Sequence, residues 1–330
     1  MRLRVSGARS VSEVYMDKFK LLVLLKPKGV SEQPALERAA QYARLMPDIE
    51  VTACRIFSNY TERDQGQLAS GALADFEVLM RHFDSMKDRC QLKVMFNHDV
   101  SEGFVQEAVR GGYNLAIISA NRRNTIKDLF VSTIDSNIMR KTEVPLLVVR
   151  NAQVAASQGQ AILIALNISD DDNSHALDNY LVRSAKRFAS YFNGQVHLVN
   201  CVLPQNRGYR ATATSASKFM GGDFIRERER RLEIYKNVAL EFAAEHGIEP
   251  KNVHVREGRV DVELPRLCAK LKACMVCMGT TPRSKFFGSG DSLASELVLE
   301  QIHGDVYVVS SAHITAQERK QKAETSDGKA

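Results

Sequence analysis

The two halves of the chain carry the same succession of segments, and this repeat limits the possible folds more than any single motif does. Leu22 recurs as Leu163, 141 residues later, whereas Val149 recurs as Val309, 160 residues later. The second copy therefore holds about 19 extra residues, the difference between the two offsets, which we place between its second strand and second helix. Repeats of roughly 140–160 residues are too long for solenoid units and fit two copies of a whole domain.

Each copy alternates short apolar runs with amphipathic stretches. In the first copy this pattern predicts strands at 20–25, 49–57, 92–96, 114–119 and 144–149, and helices at 34–46, 68–88, 101–111 and 133–141. In the second it predicts strands at 161–166, 195–202, 252–256, 274–278 and 305–309, and helices at 174–191, 223–246, 260–272 and 293–303. Such alternation is typical of βαβ crossovers, so each half is predicted to be a five-stranded parallel α/β domain with helices on both faces.

The composition of the chain argues against a membrane-spanning, secreted or nucleic-acid-binding protein. The chain has 330 residues, of which 44% are hydrophobic and 25% charged, and no apolar run approaches the ~18 residues that span a membrane. Arginines near the start lack an apolar segment behind them, so we expect no secretory signal. Six cysteines, mostly inside apolar patterns, favour a reducing cytoplasm. A net charge of +6 is mild, and nucleic acid is not an expected partner.

The repeat suggests four parts. We expect an N-terminal arm at 1–18, a first domain at 19–152, a second domain at 153–312 and a frayed tail at 313–330. The extra residues of the second copy, about 205–222, are predicted to be a loop that acts as a lid or a plain insertion.

Ligands of doubly wound sheets bind beyond the carboxyl ends of the strands, where the strand order reverses. The loops after strands one and four of each copy are therefore the candidate sites. After strand four of the second copy, 279–292 is rich in glycine, serine and threonine and leads into a helix. A helix N-terminus with free backbone N–H groups suits a phosphate, although a loop that only caps the helix is the simpler interpretation.

Two five-stranded repeats, each closing with a strand, a glycine/serine loop, a short helix and a final strand, resemble the universal stress proteins, in particular the tandem type often called UspE. The resemblance covers roughly 19–311 and includes 97–150 and 255–309. It implies a Rossmann-like fold of the adenine nucleotide alpha hydrolase-like type. Single-domain relatives dimerise through their final strands, so the resemblance also implies an intramolecular pseudo-dimer. Further pairing of tandem chains into a homodimer stays open.

Relatives that bind ATP use a glycine, a second glycine three residues on, and a third nine residues later that is followed by Ser or Thr. Gly279 fits the first place, but Pro282 and Ser292 occupy the other two. Because proline lacks a backbone donor and has a fixed φ, it cannot replace a glycine that approaches a phosphate closely. We therefore expect no cofactor, with weak ATP binding as the alternative. The candidate binding residues are Asn167, Val202, Gly279, Arg283, Gly288, Gly290 and Ser292.

The first copy departs further from the family pattern. Ser119 and Arg122 stand where the first two glycines belong, and Lys26-Pro27 replaces an acidic position after strand one. We expect the first copy to bind no nucleotide.

Other groups of reactive residues have simpler explanations. Cys274 and Cys277 have CxxC spacing but lie in predicted strand four, where alternation would point the thiols to opposite faces, so we interpret them as core residues. His197 and His254 lie on predicted strands two and three and could approach each other, but we expect no metal site. No Walker loop, nucleophile elbow or Ser-His-Asp pattern appears, and no catalytic residues are predicted.

The resemblance implies a cytoplasmic stress-response protein without catalytic activity, which acts by binding protein partners or a small ligand during oxidative or DNA-damaging stress. A weak ATP-binding protein or ATPase that uses the second-copy loop is one alternative. A carrier or sensor of a small apolar or lipid ligand is another.

Overall fold

The computed structural model describes residues 18–27, 32–46, 48–120, 133–150, 160–168, 176–204, 217–280, 298 and 301–327. The predicted arm, the boundary between the two predicted domains and most of the 279–292 loop lie outside these residues. None of the helices in the described part of the chain is long and apolar enough to cross a membrane.

The described elements alternate as the sequence predicts. The strands are β1 (Phe19–Leu24), β2 (Ile49–Phe57), β3 (Cys90–Phe96), β4 (Leu115–Ser119), β5 (Leu146–Val149), β6 (Ala161–Leu166), β7 (Gln195–Val202), β8 (Val253–Glu257), β9 (Met275–Thr280) and β10 (Asp305–Ser310). The helices are α1 (Pro34–Leu45), α2 (Gln65–Met80), α3 (Val100–Arg110), α4 (Thr133–Lys141), α5 (Ala176–Phe192), α6 (Ser217–Glu245), α7 (Val260–Leu271) and α8 (Ser311–Asp327).

The ten strands form one continuous sheet in the order β3-β2-β1-β4-β5-β10-β9-β6-β7-β8. Within each half the paired strands are parallel, as the apolar strand sequences predict for strands that are buried on both faces. The two halves meet where β5 and β10 pair in antiparallel fashion. The predicted α/β class, the tandem arrangement and the intramolecular pseudo-dimer are confirmed.

The β5–β10 pair is the seam between the halves. Val306 lies opposite Val148, and Val308 lies opposite Leu146. All four side chains are completely buried. An unpaired edge strand of this apolar character would be a site of aggregation, and the seam removes one such edge from each half.

Each face of the sheet has its own apolar core, and both cores run across the seam. Alternate residues of a strand point to opposite faces, so Leu147 and Tyr307 join the core under α1 and α5, whereas Val148 and Val308 join the core on the other face. Both halves contribute to each core, and the seam therefore lies inside packed apolar layers.

A buried ion pair links the halves above the seam. Arg38 of α1 donates from Nε to Oδ2 of Asp305 at the start of β10 over 2.7 Å, and from Nη2 to Oδ1 over 3.3 Å. Only 1% of the Arg38 side chain and 2% of the Asp305 side chain are exposed. Two charges removed from water to this degree are stable only as a well-formed pair, which fixes α1 against β10.

Further contacts cross the seam. Arg150 donates from Nη1 to the carbonyl oxygen of Ile302 over 2.6 Å. The Phe188 ring of α5 lies 5.8 Å from the Tyr42 ring of α1 and 5.2 Å, edge-on, from the Tyr307 ring. These aromatic contacts pack α1 and α5 together on one face of the sheet.

The second helix of the first half is shorter than predicted. The pattern predicts a helix over 68–88, but α2 ends at Met80 and a separate 3₁₀ turn follows at Asp84–Met86. Arg89 explains the change, because its guanidinium donates to the carbonyl oxygens of Ser85 (2.5 Å), Ala43 (2.8 Å) and Met46 (3.1 Å). These bonds hold the turn against α1 and prevent α2 from continuing.

Two other expectations need correction. Residues 217–222 of the predicted 205–222 loop form the first turns of α6, which has 29 residues where α2 has 16. Much of the extra length of the second copy is therefore helix, and 205–216 lies outside the described residues. The predicted frayed tail at 313–330 is helical up to Asp327. It is attached at His313, whose Nδ1 donates to the carbonyl oxygen of Glu143 over 2.8 Å.

We predict that Asp305→Asn lowers the free energy of unfolding by about 3 kcal/mol, because it leaves the Arg38 charge buried without its partner. Urea unfolding measures the change. Glu50→Gln is the matched control, since it removes the partner of Lys18 from a pair in which 66% and 45% of the side chains are exposed. Its expected cost is below about 1 kcal/mol. Equal costs for the two variants would contradict the structural role of the buried pair.

Candidate functional site

The strand order places one crevice in each half. The chain runs outward from β1 to β2 and β3 and then crosses back to β4 on the other side of β1. The second half repeats this with β6 and β9. The order therefore reverses beside β1 and beside β6, and the carboxyl ends of these strands are the positions at which such sheets bind ligands.

In the second half the structure brings part of the predicted site together. Ala165 of β6 lies beside Met278 of β9, so Asn167 and Gly279 end neighbouring strands at the same edge of the sheet. Asn167 is exposed, whereas Val202, at the end of β7, is only 7% exposed and belongs to the packing. Arg283, Gly288, Gly290 and Ser292 lie outside the described residues, and their roles stay predictions.

Gly279 has a packing reason to be glycine. A Cβ atom at this position would lie 2.5 Å from Cδ2 of Leu177, at the start of α5. The absence of a side chain therefore allows α5 to approach β9 closely. This close approach accounts for the glycine without a bound phosphate.

The corresponding position of the first half holds a polar contact instead. Ser119 is 5% exposed, and its Oγ accepts a hydrogen bond from the backbone N–H of Ala35 over 3.0 Å. A free N–H in the first turn of α1 is the kind of donor that would bind a phosphate. Ser119 occupies this donor, and the expectation that the first half binds no nucleotide stays a prediction.

A different cavity opens in the first half, between α2 and the sheet strands β1, β2 and β3. We call it the first-half cleft, and its volume is about 760 Å³. This volume lies within the range of small-molecule sites, which is roughly 300–1,000 Å³. Its described lining residues are Leu25, Lys26, Pro27, Gln33, Arg55, Phe57, Asp64, Gln67, Leu68, Gly71, Ala72, Asp75, Phe76, Leu79 and Leu92.

Arg55 is one of four charged residues among the described residues that line this cleft. Its Nη1 donates to the carbonyl oxygen of Lys26 over 2.5 Å, and its guanidinium carbon lies 5.1 Å from the centre of the Phe57 ring. The backbone of Lys26 is also fixed by Gln33, whose Oε1 accepts from the Lys26 N–H over 2.9 Å. Burial lowers the pKa of Arg55, and the nearby charge of Asp75 opposes this shift.

The other end of the cleft is apolar. Leu68, Ala72, Phe76 and Leu79 recur at helical spacing along α2 and face the cleft, with Leu92 of β3 opposite them. Gly71 also lines the cleft, and a Cβ atom at this position would meet no other atom within 4 Å. The cleft is therefore open at the surface of α2 and not filled by neighbouring side chains.

Aromatic rings extend from the cleft along the carboxyl ends of β2 and β3. Phe57 and Phe96 stack with their ring centres 5.7 Å apart, and Tyr60 lies 5.1 Å from Phe96. The ring of His98 stacks on Tyr60 at 4.6 Å. Phe57, Phe96 and Tyr60 are all partly exposed, which gives the cleft an apolar border on this side.

Comparison with known proteins identifies the second half. Residues 160–310, from just before β6 to the end of β10, match the model of the universal stress protein family. Residues 160–310 belong to the universal stress protein family. Membership of this family supports a role in the stress response.

Proteins named universal stress protein E align with more of the chain than the family model does. Universal stress protein E of Escherichia coli K12 is 25% identical over 223 residues, which cover 66% of this chain and 67% of that protein. The universal stress protein E homolog of Haemophilus influenzae is 23% identical over 287 residues, which cover 81% of this chain and 89% of the homolog.

Solved structures show the same fold over both halves. A functionally unknown protein from Pseudomonas aeruginosa PAO1 has a TM-score of 0.68 at 21% identity. The alignment covers 93% of this chain and 98% of the Pseudomonas chain. A universal stress protein from Archaeoglobus fulgidus has a TM-score of 0.60 at 12% identity. The alignment covers 88% of this chain and 96% of the Archaeoglobus chain. The tandem arrangement of the two halves therefore has structural counterparts.

The first-half cleft is the feature of the molecule that sequence reasoning missed. A signal was present, because β2 reads IEVTACRIF and carries Arg55 within an otherwise apolar strand. An arginine at such a position needs either a partner or a solvated cavity. The resemblance directed attention to the 279–292 loop instead.

The two cysteines of the CxxC sequence were placed incorrectly. Cys274 and Cys277 do not point to opposite faces, because both side chains pack into the core under α1 and α5. Cys274 lies in a bend before β9 begins at Met275, so the alternation of the strand does not reach it. Burial raises the pKa of both thiols, that of Cys274 to about 11. Both cysteines are core residues, as predicted.

The predicted approach of His197 and His254 is confirmed. Nδ1 of His197 lies 3.1 Å from Nε2 of His254, and the rings stack with their centres 5.4 Å apart. In the described part of the chain, no group of three or more His, Cys, Asp or Glu residues could hold a metal ion. The pair is therefore a hydrogen-bonded contact between β7 and β8.

This pair makes stability depend on pH. Burial, together with the smaller effects of the neighbouring His197, Arg256 and Lys270, lowers the pKa of His254 from 6.5 to about 4. Burial also lowers the pKa of His197. Since the folded state favours neutral His254, the unfolded state binds the proton first as the pH falls, and stability decreases between about pH 6.5 and 4.

We predict that His254→Gln reduces this acid-induced loss of stability. Between neutral pH and pH 4, the free energy of unfolding should fall by about 1–2 kcal/mol more in the wild type than in the variant. Because the ring is partly exposed, this difference is smaller than the full pKa shift would give. Urea unfolding at a series of pH values measures the difference. His82→Gln, at an exposed position, is the control and should follow the wild type. Parallel pH profiles for His254→Gln and the wild type would contradict the prediction.

Proposed function

We propose that this chain is a non-catalytic, cytoplasmic stress-response protein that works by reversible binding of a small, largely apolar ligand in the first-half cleft. The observation that carries the proposal is the cleft itself, with its volume of about 760 Å³ and a wall of apolar side chains from α2. Largely apolar pockets with a few convergent polar groups are typical of small-molecule sites.

The chemistry of the cleft supports binding more than catalysis. Its described lining residues include no histidine, cysteine or serine. Asp64, which lines it, accepts a hydrogen bond from the backbone N–H of Thr61 over 2.7 Å and fixes the turn before α2. The cysteines elsewhere are poor nucleophiles, because burial raises the pKa of Cys54 and of Cys201 to about 12.

Helix α2 offers a way for a ligand to affect partner proteins. Its inner face lines the cleft, and its outer face carries Leu73 and Val78, which are 51% and 55% exposed. A ligand that packs against the inner face would stabilise the helix and its outer apolar side chains together. We propose that protein partners recognise this outer face.

Weak ATP binding in the second half is the alternative function. It is supported by the exposed Asn167 beside the end of β9, and by the family relationship of residues 160–310. Arg283→Ala should abolish nucleotide binding if this alternative is right. An unchanged melting temperature at saturating MgATP would exclude it, since binding to the native state must raise stability.

The test of the proposal is to fill the first-half cleft from α2. Gly71→Leu places a side chain in the open space of the cleft, whereas Gly66→Leu places the same side chain at an exposed position of the same helix outside the lining. Both changes replace a helical glycine by a better helix former, so both variants should fold. Binding of the uncharged apolar dye Nile red is followed by fluorescence.

We expect the wild type and Gly66→Leu to bind Nile red with the same affinity, and Gly71→Leu to bind it at least tenfold more weakly. Equal binding by all three proteins would place the dye outside the cleft and contradict the proposal. Displacement of the dye by MgATP would favour the second-half site instead.

A further inference from the structure

We propose that the ligand of the first-half cleft is a single-tailed amphiphile with a carboxylate head group, held with its tail between α2 and the sheet and its carboxylate against Arg55. This inference rests on the proposed function, because it names the class of ligand for the same cleft. It follows from the distribution of polar and apolar groups along the cleft and from the bonding of Arg55.

The direction of α2 gives the cleft two different ends. In a βαβ unit the helix runs opposite to the strands, so its first turn lies near the carboxyl ends of the strands and its last turn near their amino ends. Gln67 lies in the first turn of α2, whereas Phe76 and Leu79 lie near its end. Leu92, close to the start of β3, is at the same apolar end.

The polar groups are concentrated at the opposite end. Lys26 follows the carboxyl end of β1, and Gln33 precedes α1. Arg55 reaches this end, because its Nη1 donates to the carbonyl oxygen of Lys26. The cleft is therefore mainly apolar at its inner end, apart from Asp75 on α2. It is polar at the carboxyl edge of the sheet, where Lys26 and Arg55 lie with Asp64. A molecule with one apolar tail and one polar head fits this distribution.

Arg55 determines the charge of the head group. The ion pairs of the described residues do not include Arg55, and its guanidinium is held in place by one carbonyl oxygen and the face of the Phe57 ring. The lowered pKa of Arg55 agrees with a partly buried cation that lacks a contacting anion. A carboxylate would supply this anion, and guanidinium–carboxylate pairs form two parallel hydrogen bonds.

The acidic residues of the cleft are placed less well to bind a cationic head group. Asp64 already accepts the N–H of Thr61, and Asp75, although it lines the cleft, is exposed to solvent. The charge of Asp75 raises the pKa of Arg55 and so already stabilises this cation in part. An uncharged head group would give the Arg55 guanidinium no carboxylate in direct contact, so a carboxylate is the favoured partner.

Three probes with the same tail test the inference: laurate, lauryl alcohol and laurylamine, each used to displace Nile red at pH 7.5. For the wild type we expect laurate to bind at least tenfold more tightly than the alcohol and the amine to bind most weakly. In Arg55→Met, which keeps a long unbranched side chain and removes the charge, laurate and the alcohol should bind within about twofold of each other.

Two further variants make the result specific to the position of the charge. Arg63→Met removes an exposed arginine next to Asp64 that does not line the cleft, and it should retain the preference for laurate. Arg55→Lys keeps the charge and should retain part of the preference, so the inference stays testable if Arg55→Met is unstable. Melting curves confirm that each variant is folded.

Equal binding of laurate and lauryl alcohol by the wild type would overturn the inference, as would an Arg55→Met variant that keeps the tenfold preference. A preference for laurylamine would also overturn it and assign the polar end to Asp64 or Asp75. Two other results would contradict the proposed function itself. In the first, none of the three probes displaces the dye from the wild type. In the second, all three displace it from Gly71→Leu as well as they do from the wild type.

Discussion

The antiparallel pairing of β5 with β10 is the interaction on which the rest of the structure depends. It joins two five-stranded sheets into one and places both apolar cores across the boundary between the halves. The Arg38–Asp305 ion pair lies beside this seam and is almost fully buried. The offsets of the repeat put Asn179 and Pro145 at the equivalent positions of the other copies, so the pseudo-twofold arrangement contains this pair once. Asn179 instead contacts His246 of its own half over 2.9 Å.

The two copies of one fold differ in their candidate sites. Each half keeps a crevice beside its first strand, but the side chains there are not the same. Ser119 occupies the first-turn N–H of α1 in the first half, whereas Gly279 allows Leu177 to approach β9 in the second. The open cavity of the first half lies instead between α2 and the sheet, where Arg55 and the apolar face of α2 meet.

The sequence predicts the fold well because its main signals are local. Continuous apolar runs such as those of β6 and β9 indicate strands buried on both faces, and the repeat offsets indicate two domains. The pairing of these domains through their last strands is implied by the resemblance to the family. The errors arise where distant residues act. Arg89 ends α2 by binding carbonyl oxygens of α1 and the following turn, and the bend at Cys274 turns that side chain into the same core as Cys277.

The candidate site is less predictable than the fold for a related reason. Asn167 and Gly279 could be placed at one edge of the sheet, because the order of the strands fixes that edge. The first-half cleft depends on how far α2 stands from β2 and β3, and this distance is a property of the packed structure. An arginine within an apolar strand was the local sign of the cleft, but it does not reveal whether a cavity or a partner accompanies the charge.

Hydrogen–deuterium exchange of the whole protein, with and without laurate, tests most directly whether the first half holds the ligand site. Bound ligand should slow the exchange of backbone N–H groups that it protects or rigidifies. The account predicts slower exchange in α2 and in the carboxyl ends of β1 and β2, with no change in α5 and β9. Protection confined to α5 and β9 would place the ligand in the second-half crevice and contradict the account.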